Sequence, residues 1–332
     1  MYILGVNISH NPSTALFKNG ELMWYIENER ISKVKDYCID DPLNTRQFIH
    51  DHIDHVIISS FGSEMYDPKR IDMVKNYVPH NNIYYDLYTH HKHHAANAFY
   101  DSGFEECIAI IMDGYGAQRD SFHLHREVES TYFCSYPDNI VSLEKHYSVC
   151  DIDGERNSFQ IDNHLMSDGF SCGYMFAQTC IEFGMNSGLD AGKIMGMAAY
   201  GSPSQGEPWF IDGIADNQLF LSELKQAKTF EERCNFAWRL QEETKSHTIN
   251  YISKVIEKYN PKNIVLSGGY FLNCVNNYFY VKQFPNINFY IDPVSHDGGT
   301  ALGAAKILWH NLTKDMTIRK INDLYLGPQY NP

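Results

Sequence analysis

The chain has 332 residues, 43% of them hydrophobic and 14% aromatic, enough to core two lobes and too apolar for a disordered polymer. Its formal charge is −14 and no segment gathers lysine and arginine into a stripe, so its field opposes a nucleic-acid partner. No apolar run approaches the roughly 20 residues that cross a bilayer, and the opening MYILGVNIS lacks the basic start of a signal peptide. The eight cysteines (38, 107, 134, 150, 172, 180, 234, 274) form no CxxC pair; several, Cys107 and Cys274 among them, lie in apolar runs. They read as reduced core thiols of a soluble, cytoplasmic protein.

In chain order, three strands are expected first: Tyr2–Ile8, Ser13–Lys18 and Glu21–Glu27. The last two are joined by Asn19-Gly20, a pair that tolerates the positive φ of a tight hairpin. A strand at His55–Ser59 precedes a histidine-rich helix over His90–Tyr100. Strands then follow at Cys107–Met112 and Ser121–Arg126. From Gly169 the pattern turns helical: FSCGYMFAQTCIEFG, AGKIMGMAAYG, and an amphipathic stretch Phe230–Lys258 carrying Phe236, Leu240, Ile252 and Ile256. Two strand–glycine turn–helix units, NIVLSGGYFLN and INFYIDPVSHDGGTALGAAKIL, close the ordered pattern, and Asp323–Pro332 is Pro- and Gly-punctuated.

Chemistry concentrates in HHKHHAANAFY. His90 and His94 are four residues apart, so on a helix both imidazoles leave one face. Asp113, at the end of the next apolar strand, could complete a two-histidine, one-carboxylate set that leaves positions for a substrate oxygen; the plainer reading is a helix start whose rings bond water or backbone. His91 and His93 fall on other faces and read as surface or supporting residues. Glycine turns at Ser9-His10 to Thr14, Asp113–Gly116, Ser267-Gly268-Gly269 and Asp297-Gly298-Gly299 each follow an apolar strand. There, backbone N–H groups and helix starts could approach phosphate. Together they suggest an α/β, two-lobed, actin-like fold around a nucleotide cleft.

The stretches ILGVNISHNPSTAL, ENERISKVKD, HHKHHAANAFY, IMDGYG, AGKIMGMAAYG, LSGGYFLNCVNN and DPVSHDGGTALGAA resemble, in order, the O-carbamoyltransferases of nodulation and antibiotic biosynthesis. Their N-terminal domain is similar to the tRNA threonylcarbamoyladenosine synthase subunit. The resemblance implies an actin-like (ASKHA) fold with duplicated RNase H-like subdomains: one lobe over 1–165, a second over 166–315, and at 316–332 the start of a linker to a YrdC-like C-terminal domain. It implies transfer of a carbamoyl group from carbamoyl adenylate, made from carbamoyl phosphate and ATP with AMP released at transfer, to a hydroxyl or amine of a small-molecule acceptor.

By the same resemblance, His90, His94, Asp113 and Asp297 hold a divalent metal, iron(II) or alternatively manganese(II) or magnesium(II), with the spare ring nitrogens hydrogen-bonded. Gly114 and Gly116 flank the phosphates, while Ser267, Gly268, Gly269 and Asn273 pack against adenosine. Lys193 reaches phosphate or acceptor, unless it is a solvated lysine at a helix start. His10 deprotonates the acceptor, Lys35 steadies the developing oxyanion, and Asp190 orients the acceptor or caps the following helix. The chain departs from the family pattern in having His10-Asn11 for His-Asp, and Lys35-Asp36 for Lys-His-Asp. A YrdC-like domain or separate partner would make the donor, and a homodimer is compatible. Competing readings are a tRNA-modifying relative, which the acidic charge disfavours, and an ATPase module, which would use carboxylate-held magnesium without paired histidines.

Overall fold

Two sheets with the same connectivity organise the chain. The structure is a computed structural model describing residues 1–35, 43–49, 52–62, 68–119, 125–151, 157–204 and 206–328. The strands are β1 (Tyr2–Asn7), β2 (Ser13–Lys18), β3 (Glu21–Glu27), β4 (Ile53–Ser59), β5 (His80–Asp86), β6 (Glu106–Met112), β7 (Arg126–Ser135), β8 (Asn139–Ser148), β9 (Ser158–Ile161), β10 (His164–Ser167), β11 (Phe210–Ile211), β12 (Ile214–Ala215), β13 (Asn263–Ser267) and β14 (Asn288–Ile291). The helices are α1 (Asn28–Ser32), α2 (Pro68–Tyr77), α3 (His90–Ser102), α4 (Cys172–Glu182), α5 (Ala191–Met197), α6 (Asn217–Leu224), α7 (Phe230–Tyr259), α8 (Cys274–Gln283) and α9 (Gly299–Thr313).

The first sheet runs β3-β2-β1-β4-β5 and the second β14-β13-β6-β7-β8-β10-β9. In each, an antiparallel meander (β1–β3, β6–β8) is extended by two parallel strands (β4–β5, β13–β14) beside its first member. This is the duplicated RNase H-like pattern. The change of sheet falls between Asp86 and Glu106, well before residue 165, because β6–β10 belong to the second sheet. Residues beyond α9 lie back on the body: Ile321 N–H donates to the Asp101 carbonyl at 3.1 Å, and Arg319 pairs with Glu21 at 2.9 Å.

The Asn19-Gly20 turn has positive φ at both residues, as its hairpin requires. Ser121–Arg126 falls largely outside the described residues, and the returning strand β7 starts at Arg126. In β7 the register with β8 slips between Glu127 and Glu129. The extra residue turns Val128 and Glu129 toward the same face, where Val128 packs with the core under α4 and α7, while Glu127 faces α3. Six of the described cysteines are buried, but Cys274, at the exposed start of α8, is not core, and Cys38 lies outside the described residues.

Helix α3 lies between the sheets, which is why nearly every residue from His90 to Tyr100 is buried. Against it runs the small-residue face of α9. A Cβ on Gly303 would stand 1.9 Å from the His93 carbonyl oxygen, so this position admits no side chain. Gly303→Ala is therefore expected to cost about 3 kcal/mol, as an overpacked contact does. Gly196→Ala, on α5 with nothing within 4 Å of its Cβ, should be neutral or stabilise by about 0.5–1 kcal/mol. Urea midpoints of the two variants check the pair, and equal shifts would contradict the packing argument.

Candidate metal and nucleotide site

His90 and His94 open α3, Asp113 directly follows β6, and Asp297 precedes α9; the four ligand atoms lie within 4.8 Å of one another. The two Nε2 atoms are 3.1 Å apart. His90 Nε2 is 3.2 Å from Asp113 Oδ2 and 3.5 Å from Asp297 Oδ1, and His94 Nε2 is 3.8 Å from each carboxylate. Ligands at about 2.1 Å from one ion stand about 3.0–3.4 Å apart, so this N₂O₂ set fits a divalent cation with little adjustment. Burial alone would lower the His90 pKa, but Asp297 and Asp113 outweigh it and raise it to about 10. Asp297 sits well below the carboxylate range: burial works against this, and His90, His94 and the charge of His10 overcome it.

The spare ring nitrogens differ from expectation. His90 Nδ1 and His94 Nδ1 are buried and have no hydrogen-bond partner among the described residues. The rings are held by packing: His94 lies edge-on to His90 at 4.7 Å and Phe61 edge-on to His90 at 6.3 Å. His91 and His93 are not surface residues; both are fully buried because α3 is covered on all sides. His91 Nδ1 pairs with the Ser130 hydroxyl at 2.7 Å and burial pushes its pKa down to about 3, while His93 Nε2 meets Asp86 at 3.2 Å.

The glycine turns divide by role. Gly114 faces open space, whereas a Cβ on Gly116 would strike His91 and Glu127. Gly268, at φ +100°, has the Met112 carbonyl oxygen 2.2 Å from its absent Cβ, so replacing it would disturb the fold before any ligand. Gly269 lies against Asp113 Oδ1. The Ser267 hydroxyl donates to Asp292 at 2.8 Å, and the Asn273 amide exchanges hydrogen bonds with Gln241 at 2.7 and 3.0 Å.

Lys35, Asp190 and Lys193 form a separate group. Lys35 Nζ donates to the Leu189 carbonyl, and Lys193 Nζ pairs with Asp190 at 2.8 Å. Asp190 occupies the N-cap position of α5 without making the cap bond; it accepts instead from Asn186 N–H at 3.0 Å. His10 is exposed, and its loop is tied to the metal cluster by Asn7. The buried Asn7 amide donates to the carbonyls of His10, Asn11 and Asp297 at 3.0, 3.1 and 3.1 Å. Asn11 takes φ +53°, a left-handed turn that asparagine tolerates.

Asn7 escaped the sequence reading, as did Glu27 and His296, which meet at 3.4 Å beside Asp297. Burial would raise the Glu27 pKa, but His296 and Arg30 hold it down. The signal for these residues was adjacency: His296 precedes Asp297 in SHDGG, and Glu27 opens ENER.

Because the carboxylates keep His90 protonated up to about pH 10, a metal must displace that proton. Apparent manganese(II) affinity at this cluster should therefore rise about tenfold per pH unit between about pH 6.5 and 8.5, with proton release seen in titration calorimetry across buffers. His94→Ala should abolish binding at this cluster. Affinity flat in pH, or unchanged by His94→Ala, would refute the assignment.

The profile of the family described as Carbamoyltransferase N-terminus matches residues 63–240 and 211–306. An uncharacterized protein (sll1178) of Synechocystis is 26% identical over 278 residues, covering 73% of this chain and 40% of the relative. Nodulation protein NolNO of Sinorhizobium fredii is 20% identical, covering 96% and 49%. Nodulation protein NolO of Bradyrhizobium diazoefficiens is 24% identical, covering 72% and 41%. The chain thus spans about half or less of the length of these relatives. Among solved structures, HypF of T. kodakarensis aligns with a TM-score of 0.58 at 12% identity over 94% of this chain and 47% of that one. Full-length HypF in a phosphate- and nucleotide-bound form gives 0.56 at 13%, over 94% and 56%. The activator of 2-hydroxyisocaproyl-CoA dehydratase from Clostridium difficile, with bound ADPNP, gives 0.52 at 12%, over 94% and 95%. These establish the actin-like fold, and with a profile that spans most of its length, the chain belongs to the carbamoyltransferase N-terminus family.

Proposed function

We propose that this chain passes a carbamoyl group from carbamoyl adenylate to a hydroxyl or amine of a small-molecule acceptor. The observation that carries the reading is the convergence of His90, His94, Asp113 and Asp297 beside a loop presenting an exposed histidine, His10, tethered through Asn7. A divalent ion held by the four ligands would offset negative charge on the adenylate phosphate. The Asp113–Gly116 and Ser267–Gly269 turns, which touch at Gly269, would flank the nucleotide.

In this reading His10 takes the proton from the acceptor hydroxyl as its oxygen bonds to the carbamoyl carbon. The bond from that carbon to the phosphate oxygen breaks, and AMP leaves. Asp297 stands within electrostatic reach of His10. The group Lys35, Asp190 and Lys193 positions the acceptor and steadies the developing oxyanion. The donor is made by a YrdC-like domain or partner from ATP and carbamoyl phosphate.

The test supplies this chain with a carbamoyl-adenylate-forming partner, ATP, carbamoyl phosphate and a panel of acceptors, and follows carbamoyl mass gain. Product is expected only with the partner present. Nucleotide hydrolysis without carbamoyl gain would favour the ATPase reading, and carbamoylation of tRNA alone the tRNA-modifying one. His10→Asn should lower transfer by about 10²–10⁴-fold while leaving AMP affinity unchanged. Equal rates in parent and variant would remove His10 from the reaction.

A further inference from the structure

We propose that Glu129, Cys172 and His247 form a second metal site, for a zinc-class cation, on the face of the second sheet opposite α3. A carboxylate oxygen of Glu129, Cys172 Sγ and a ring nitrogen of His247 lie within 4.8 Å of one another, and all three residues are buried. They come from β7, the start of α4 and the middle of α7, elements far apart in sequence. The slip in β7 makes the convergence possible, since regular alternation would put Glu129 on the side of Glu127.

The donor chemistry points to the ion. A thiolate, an imidazole and a carboxylate suit zinc and disfavour magnesium or calcium. With Cys172 and Glu129 anionic and His247 neutral, a divalent cation brings the buried cluster to zero net charge, and binding releases the thiol proton to solvent. The surroundings match as well. His247 Nε2 is 2.6 Å from Glu129 Oε1, a direct hydrogen bond that an ion would draw open to the spacing of two ligands as it displaces the proton between them, while Glu129 Oε2 is engaged by His146 Nδ1 at 3.2 Å. His146 is fixed in turn by the Ser167 hydroxyl at 2.7 Å, and Phe210 stacks on the His247 ring at 4.2 Å. A ligand carboxylate held by a partner on its other oxygen is the usual support of such sites. The Cys172 thiol is turned into the same space as the Glu129–His247 pair.

The site lies directly behind the first cluster. Glu129 pairs in register with Met112, Asp113 N–H donates to the Val128 carbonyl at 3.0 Å, and a Cβ on Gly173 would be 2.8 Å from Gly114 N. An ion there pins α4 and α7 to β7 and braces the Asp113–Gly114 turn from below.

Sulfur separates the two sites, because the first contains none. The His94→Ala protein, loaded with cobalt(II) alone, should show a near-ultraviolet thiolate-to-cobalt charge-transfer band. It should retain one tightly held zinc by elemental analysis and melt at a higher temperature with zinc than without. The double variant His94→Ala/Cys172→Ser should lose the band, the zinc and the zinc-dependent rise in melting temperature, and His247→Gln in the His94→Ala background should do the same. Absence of the band in folded His94→Ala protein overturns the proposal, whatever the other variants do. So does a band that persists without Cys172, which would assign it to another thiol such as the exposed Cys274.

Discussion

The contact on which the rest depends is the approach of α9 to α3. Gly303 sits over the His93 carbonyl with no room for a methyl group, while Ala301, Ala304 and Ala305 pack with Ile3, Ala15 and Phe17 of the first sheet. Gly5 of β1 similarly has the Ala301 carbonyl oxygen 2.1 Å from its absent Cβ, so α9 is pressed from both sides. Polar contacts fix how far it can slide. Lys306 of α9 donates to Asn97 of α3 at 2.7 Å and pairs with Asp101 at 2.6 Å, and Asn97 donates to Asp292 at 3.0 Å. Every member of this chain of bonds is largely buried and partnered, so its geometry is narrowly specified.

From that contact the metal cluster follows. Helix α3 follows the last strand of the first sheet, and α9 follows the last strand of the second. Held side by side, they bring His90 and His94 at one helix start toward Asp297 just ahead of the other. Asp113 directly follows the first strand of the second sheet and Asn7 ends the first strand of the first, so the repeated fold delivers one carboxylate and one tethering amide from corresponding strand ends. Helix starts carry partial positive charge, and the two acidic residues face it.

Much of this was legible from the residues. The hairpin at Asn19-Gly20, the strand before Asp113, the long amphipathic helix and the two strand–turn–helix units near the end all follow from local periodicity and turn chemistry. The i, i+4 histidine pair needs only the pitch of a helix to converge. What resisted reading was the middle of the second sheet. Strands β7 and β8 bury Glu127, Glu129 and His146, with Lys145 half-buried beside them, as mutually compensating charges, so charged letters stand where alternation expects apolar ones. Register slips in β7 and β8 break the period further. The burial of His91 and His93 was hidden for a related reason: a helix enclosed on every side shows no polar face to mark its surroundings. Asn7, Glu27 and His296 are short-range neighbours of recognised residues, and their roles arise only once residues 290 positions apart are joined.

The slip at Val128 has a genetic consequence. A strand that alternates regularly dedicates each parity of its positions to one side of the sheet, so neighbouring acidic positions can serve only one neighbourhood. With one extra residue, β7 sends Glu127 to His91 and Glu129 to His247, two positions apart yet on opposite sides. A one-codon insertion beside Val128 would remove no charge and shorten no helix. With the single bulge retained, it would nevertheless exchange the sides of everything upstream in the strand, evicting Glu127 from the histidine helix and stranding an anion among the apolar side chains beneath α7. Deleting Val128 would instead restore regular alternation and leave each carboxylate on its own side, so insertion here should be far less tolerable than loss of Val128 itself.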